Sequence, residues 1–425
     1  MVNEIENFLN KDEEKVIFNT SDGDGVVPPY RIPAIAQNNE GKLIAVAASL
    51  VCGTDPGFGQ IDIVSRMSDD GGQNWGELSK VAVGTGRTSS QENFFDTAFG
   101  DPAIVADRES PRVLIMAVAG CTLFTDSKTN RENPNLIATI RSEDGGTTWG
   151  NPVDITEEIY SLFDKDNPMD AAFVSSGKIL QSRVVKVGDY YRLYAALCSR
   201  PGGNRVIYSD DFGDTWNVLG GAKVISVPGG DEAKCEELAD GTLLISSRTS
   251  GGRILNLFSY TNIAKGKGKW GIAQKSDFSD MGKKIGRNAT NGSVVVLNAV
   301  RVSDNKECQL LLQSLPTADT RSDLGIYFKE LPDKLTFKMV KEMVEGWQGY
   351  FIVDQSDAAY SSMLLLSDGR IALLYEKYYK WFGRRPNPVS TTFLNGEGDH
   401  NFDGYDIVYQ VFDLETITAG RYRVL

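Results

Sequence analysis

The sequence predicts an all-β fold, a six-bladed β-propeller, on three observations. A turn pattern returns six times along the 425 residues at a step of about 64 to 70. The runs between the turns are short, apolar and rich in Val, Ile, Leu and Tyr, as strands are. Helix-period stretches are scarce, and Pro332 to Val344 is the one place that suggests a short helix. Several strands per period, repeated six times, give a propeller whose units bury their faces against one another. A chain of this length therefore need not split into separate cores. Residues 1–425 read as one domain, with residues 1–15 as a leader that closes on the first or last blade.

The clear turn copies are Asn39-Glu40-Gly41-Lys42, Ser176-Gly177-Lys178, Asp240-Gly241-Thr242 and Asp368-Gly369-Arg370. Weaker copies stand at Ser110-Pro111-Arg112 and Asp304-Asn305-Lys306. In each, an apolar run breaks at a Gly or polar turn and a second apolar run follows, the pattern of a hairpin. The strands expected around them include Lys42 to Ala47, Val113 to Ala119, Arg192 to Ala196, Arg253 to Tyr260, Ser293 to Leu297 and Ile407 to Phe412.

A second repeat runs in phase with the first. It reads Ser68-Asp69-Asp70-Gly71-Gly72-Gln73-Asn74-Trp75, then Ser142 to Trp149, then Ser209 to Trp216, with a degenerate copy ending at Trp270. The shared form Ser-x-Asp-x-Gly-x-Thr/Asn-Trp is the Asp-box. Its Asp caps backbone N–H groups, its Gly takes positive φ, and its Trp packs between blades. The role expected of it is structural.

Composition excludes several functions. With 44 basic and 57 acidic residues the net charge is −13, so nucleic acid and anionic membranes are unexpected partners. No run is long and apolar enough to span a bilayer as a helix. Met1 to Lys11 is polar and does not read as a signal peptide. The five cysteines lack metal or redox spacing and are expected as reduced, buried thiols. With a single histidine, His400, a multi-histidine metal site is excluded, and any Ser-His-Asp or Cys-His chemistry would rest on that residue alone. Catalysis would have to use Asp, Glu, Tyr, Arg or Lys.

Phase then groups distant residues. Strands flanking a turn run antiparallel, so residues well before and well after it share one end of a blade. Arg31, Asp101, Glu232 and Tyr360 lie nine or ten residues before their turns, and Arg248 and Glu376 seven after theirs. All six are expected around one mouth of the propeller, with the Asp-boxes on the opposite rim. Asp55 and Arg321 fall just beyond that phase, on loops or strand starts at the same mouth.

Tyr30-Arg31-Ile32-Pro33, together with the three Asp-boxes, resembles the bacterial exo-α-sialidase (neuraminidase) family from about residue 15 to 425. The family fold is a six-bladed propeller. The resemblance implies that Arg31, Arg248 and Arg321 form an arginine triad that grips the substrate carboxylate, with Glu376 steadying the first of them. It implies Tyr360 as nucleophile, Glu232 as its base, Asp55 as acid/base and Asp101 as a contact to substrate hydroxyl or amide groups. Guanidinium groups suit the triad because they stay charged and can bind a carboxylate in two-pronged fashion. Tyrosine suits the nucleophile because the anomeric carbon of a sialic acid already carries a carboxylate, which an attacking carboxylate would meet. A retaining exo-α-sialidase follows, acting on sialylated glycans, glycoproteins or glycolipids as a monomer, with no metal and no organic cofactor. A trans-sialidase, a hydrolase of a related nonulosonic acid, or a sialic-acid-binding propeller without turnover are the alternatives.

Two positions depart from the family pattern. Leu50 and Ser49 stand where an arginine usually precedes the catalytic Asp by five or six residues, and the first Asp-box has Asn74 in place of Thr. Glu236 and Glu237 are alternatives to Glu232, which is preferred for its spacing of 16 to Arg248. Ser21-Asp22-Gly23-Asp24-Gly25 reads as a turn, since it lacks the remaining spacing of a calcium loop. Trp347 and Trp381 read as packing residues.

Overall fold

The computed structural model describes residues 14–20, 29–52, 59–89, 91–278, 289–380 and 403–425. Asp55, the Ser21 to Gly25 turn, Trp381 and His400 lie outside them. Among the described residues the strands group into six antiparallel blades. Blade 1 runs outward from Tyr30–Gln37 through Leu43–Ser49 and Asp62–Ser68 to Ser79–Ala82. Blades 2 to 4 follow the same plan, with inner strands at Phe99–Ala106, Ala171–Val174 continued by Leu180–Val187, and Ala233–Glu237.

Blades 5 and 6 share one long strand, Gly349–Leu365. Its first part pairs with Ser322–Leu331 as the outer edge of blade 5, ending at the Ser322–Asp357 pair. From Ala358 it pairs with Ile371–Lys380 as the inner strand of blade 6. The outer strand of blade 6 comes from the other end of the chain: Lys15–Phe18 pairs with Asp403–Phe412. Residues 15–18 thus close the ring on the last blade, while residues 1–13 of the expected leader lie outside the described residues.

Each gap between successive blades holds its own hydrophobic cluster. Ile44, Val46, Ile104 and Ile115 fill the first. Leu114, Met116, Leu193 and Ile207 fill the second. The seam is filled no differently: Ile35 and Leu43 of blade 1 pack with Ala372, Leu374 and Ile407 of blade 6. Burying such side chains contributes about 1.5 to 3 kcal/mol each, so every blade depends on its two neighbours.

The three Asp-boxes fold alike. Ser68 Oγ donates to Asp70 Oδ1 at 2.8 Å and accepts from Gly72 N at 2.9 Å. Asp70 accepts from Asn74 N at 2.9 Å and from Asn74 Nδ2 at 2.7 Å. In the second box Thr148 Oγ1 gives Asp144 the matching bond at 2.6 Å, so Asn74 replaces Thr without losing a contact. The Asn74 backbone N–H, the Asn74 amide and the Ser68 hydroxyl together lower Asp70 to about 2. Each box rests on the preceding blade. A Cβ on Gly146 (φ 95°) would lie 2.7 Å from Ile44, and one on Gly213 (φ 85°) 2.5 Å from Leu114. In the degenerate copy Trp270 packs on Phe258 at 5.2 Å and reaches the Leu219 carbonyl at 3.4 Å.

Two expectations need correction. Gly177 is not the hairpin turn of blade 3. The inner strand resumes at Leu180 and turns at Gly188 (φ 62°), where Val187 pairs with Tyr190. Gly177–Lys178 instead forms a short parallel ladder with Ala103 and Ile104 of blade 2. The helix Thr156–Asp164 was not expected at all; it buries Ile159, Tyr160 and Phe163 over the second cluster. The suggested helix near Pro332 to Val344 is confined to Val340–Val344.

Candidate active site

The register fixes which residues can meet. Arg31 pairs with Ala48, far from the Gly41 turn, whereas Ser68 of the first box pairs with Leu43 beside it. Arg31 and the box therefore occupy opposite ends of blade 1. In blade 4 the Arg248 backbone N–H donates to the Glu232 carbonyl at 2.8 Å, so those two residues stand side by side at the same end as Arg31.

The inner strands of blades 1, 2 and 6 carry irregularities where the functional residues sit. Register shifts fall between Arg31 and Ala34, between Gly100 and Ala103, and between Ala358 and Ser361. Bulges re-aim a side chain out of the alternating pattern. Ile32 (φ 62°) and Asp101 (φ 51°) take positive φ there. For a β-branched residue this costs on the order of 1–3 kcal/mol, and it persists only when its surroundings hold it. Glu376 holds Ile32: its Oε1 accepts from Ile32 N at 2.7 Å.

Glu376 is fully buried and is met by four N–H donors. Arg31 Nε donates to Oε1 at 2.7 Å and Nη2 to Oε2 at 3.3 Å, while Tyr360 N donates to Oε2 at 3.0 Å. One carboxylate therefore fixes the Arg31 guanidinium and the backbone of Tyr360 together. The Tyr360 hydroxyl donates to Glu232 Oε2 at 2.7 Å and accepts from Arg248 Nη1 at 2.7 Å. The same Nη1 also pairs with Glu232 Oε2, and Arg248 Nε lies 3.4 Å from Asp231. Arg321, immediately before the strand Ser322–Leu331, completes the ring. The guanidinium carbons of Arg31, Arg248 and Arg321 lie 5.7, 5.8 and 5.8 Å from the centre of the Tyr360 ring.

Burial drives the Tyr360 phenol well above its ordinary range; Glu232 adds to this, Arg248 opposes it, and Asp101 is close enough to contribute. The phenol is thus neutral at neutral pH, and a base must take its proton as it reacts. Glu232 is placed for that. Glu236 and Glu237 are not: Glu236 is paired with Lys178 and Arg183, and Glu237 accepts from Ser182 Oγ at 2.5 Å and Arg183 N at 2.6 Å.

Of the eight residues singled out from the sequence, the structure gathers Arg31, Asp101, Glu232, Arg248, Arg321, Tyr360 and Glu376 at one mouth, and Asp55 lies outside the described residues. Sequence reasoning missed Tyr405, whose ring lies 4.7 Å from the Arg31 guanidinium carbon, and Asn291, whose Nδ2 reaches Glu232 Oε1 at 3.4 Å. Tyr405 pairs with Tyr378 two residues beyond Glu376, so the same phase argument could have found it. Leu50 joins a small buried apolar cluster with Ala48, Ile61 and Ala98. Trp347 is buried, as expected, against Phe278.

A ring of blades tied by Asp-boxes, with three arginines around a Tyr–Glu pair, defines an Asp-box propeller with a catalytic-type mouth. The profile of the BNR repeat-like domain family matches residues 41–373, and the chain belongs to that family. It is 28% identical over 360 residues to a sialidase of Micromonospora viridifaciens, covering 82% of this chain but only 50% of that protein. It is 25% identical over 383 residues to a sialidase of Paraclostridium sordellii, covering 87% of each. Among solved structures it resembles the intramolecular trans-sialidase of Ruminococcus gnavus bound to oseltamivir carboxylate, with a TM-score of 0.65, 17% identity, and coverage of 95% of this chain and 98% of that one.

Proposed function

We propose that the chain is a retaining exo-α-sialidase that releases terminal α-linked sialic acids from glycans, and that residues 1–425 act as one catalytic domain. The observation that carries this reading is the 2.7 Å bond from the Tyr360 hydroxyl to Glu232 inside a ring of three guanidinium groups. A binding module needs the arginines but has no use for a phenol bonded to a buried base.

In this mechanism Arg31, Arg248 and Arg321 hold the sugar carboxylate beside Tyr360. The phenol oxygen attacks the anomeric carbon while Glu232 Oε2 takes the phenol proton, and Arg248 Nη1 steadies the oxygen as it gains charge. The bond to the leaving oxygen breaks as Asp55 protonates it. Asp55 then deprotonates a water that displaces tyrosine, and Glu232 returns the proton to the phenol. Two displacements retain configuration. Asp101 serves as a contact to substrate hydroxyl or amide groups.

The test is hydrolysis of a fluorogenic α-sialoside by wild type and by Tyr360→Phe, with the anomer of the first product read by NMR. Turnover with retention that disappears in Tyr360→Phe is expected. An inverted product, or full rate in the variant, would overturn the assignment. Product analysis with an added galactoside acceptor separates hydrolysis from transfer.

A further inference from the structure

Beneath the Tyr360–Glu232 pair lies a buried cation that the mechanism above does not use. Alternation along blade 4's inner strand places Glu232, Lys234 and Glu236 on one face at successive depths from the mouth. Lys234 is only 1% exposed. Its Nζ donates to Asn291 Oδ1. The amide of Asn291 is thereby oriented: its oxygen faces the ammonium, so its Nδ2 faces Ser176 Oγ at 2.8 Å and Glu232 Oε1 at 3.4 Å.

The site is built around this lysine. Gly177, at φ 97°, passes so close that a Cβ would lie 2.7 Å from Lys234 Cε and 3.1 Å from Nζ. This is the packing reason for the glycine that resembles a turn in the sequence. The charged groups facing Lys234 are Glu232, which attracts it, and Arg253 and Lys178, which repel it. Arg253 is held by Ser246 Oγ at 3.0 Å and the Thr290 carbonyl at 2.9 Å, and Lys178 is paired with Glu236. Burial first, with those two cations assisting and Glu232 opposing, depresses Lys234 to about 7.

We infer that Lys234, acting through Asn291, is a positioning residue that aims the Glu232 carboxylate at Tyr360 and sets by its charge how readily that carboxylate takes the phenol proton. The inference rests on the reading of Glu232 as the base. In a dry interior a nearby ammonium favours the carboxylate over the protonated acid. Glu232 is therefore a weaker base while Lys234 is charged and a stronger one once it is neutral. Among the described residues the other charged or titratable groups facing Glu232 are Arg248, Tyr360, Arg253 and Cys198.

The experiment compares the pH profiles of kcat for wild type, Lys234→Met, Lys234→Arg and Asn291→Leu, with folding checked by circular dichroism. In Lys234→Met the acid limb, which reports ionised carboxylate, is expected to move up by about one pH unit with KM unchanged. Lys234→Arg keeps the charge and should leave the limb in place. Asn291→Leu should lower kcat about 10- to 100-fold through misplacement of Glu232, again without a change in KM. Infrared titration of the Glu232 carboxylate, taken as wild type minus Glu232→Gln, should shift upward in Lys234→Met whether or not substrate turns over. An unmoved band in folded Lys234→Met overturns the inference, as does wild-type kcat in Asn291→Leu should Lys234→Met fail to fold. Full turnover by Glu232→Gln would instead remove the base assignment while the infrared shift still reported the pull of Lys234.

Discussion

The two rims of this propeller are built in opposite ways. On the Asp-box rim each unit satisfies itself: Ser142, Asp144, Gly146 and Thr148 bond to one another within a few residues. At the mouth the decisive bonds join partners far apart in sequence, 345 residues for Arg31 and Glu376 and 128 for Tyr360 and Glu232. The boxes set the spacing of the ring, and the mouth is available for chemistry because little in it supports the local fold. Strain is tolerated there, at Ile32 and Asp101, for the same reason.

Substitutions should separate the rims cleanly. The largest effect belongs to the mouth: Tyr360→Phe is expected to lower kcat by about 10³-fold or more while thermal melting stays near wild type. A large drop in melting temperature would mean that the phenol is structural. Next comes Glu376→Gln, which leaves the Arg31 guanidinium and two backbone N–H groups poorly matched. It should cost about 3 kcal/mol in denaturant unfolding and also raise KM, the one mouth change that damages both fold and binding. On the other rim, Gly146→Ala drives a Cβ toward Ile44 at a positive φ. It should cost about 2 kcal/mol with kcat unchanged in the folded protein; a loss of activity at constant stability would contradict the division.

The smallest effect is with pH, and the rims should respond at opposite ends of the scale. Asp70 is lowered in the folded chain to about 2 by the bonds it accepts, so its contribution is present above the ordinary carboxylate range and is lost as pH falls toward 2. Tyr360 is raised by burial, so its contribution is present below about pH 10 and is lost as pH rises further. Unfolding curves of Asp70→Asn and wild type should converge toward the acid limit, whereas Tyr360→Phe should match wild type near neutral pH and exceed it above about pH 10.

The same contrast decides what the sequence could reveal. The boxes and most hairpin turns are local, so spacing and residue type exposed them, and turn phase grouped six of the mouth residues. Gly177 misled because a glycine that makes room for Lys234 has the same letters around it as one that makes a turn. Asn291 and Lys234 gave no signal, since their roles exist only where blades 4 and 5 face the axis. The helix Thr156–Asp164 escaped notice because its buried face is one short stripe, Ile159, Tyr160 and Phe163, among longer strand patterns.

The pairing of Lys15–Phe18 with Asp403–Phe412 has a consequence for the order of events at the ribosome. Arg31 leaves the exit tunnel early and waits, while the carboxylate that will fix it is still hundreds of codons away. A nascent chain can assemble wedge after wedge without any competent mouth. Only when the last wedge meets the first does the Arg31 guanidinium become rigid. The proposed activity, followed in a synthesis time course, would therefore report ring closure and nothing earlier.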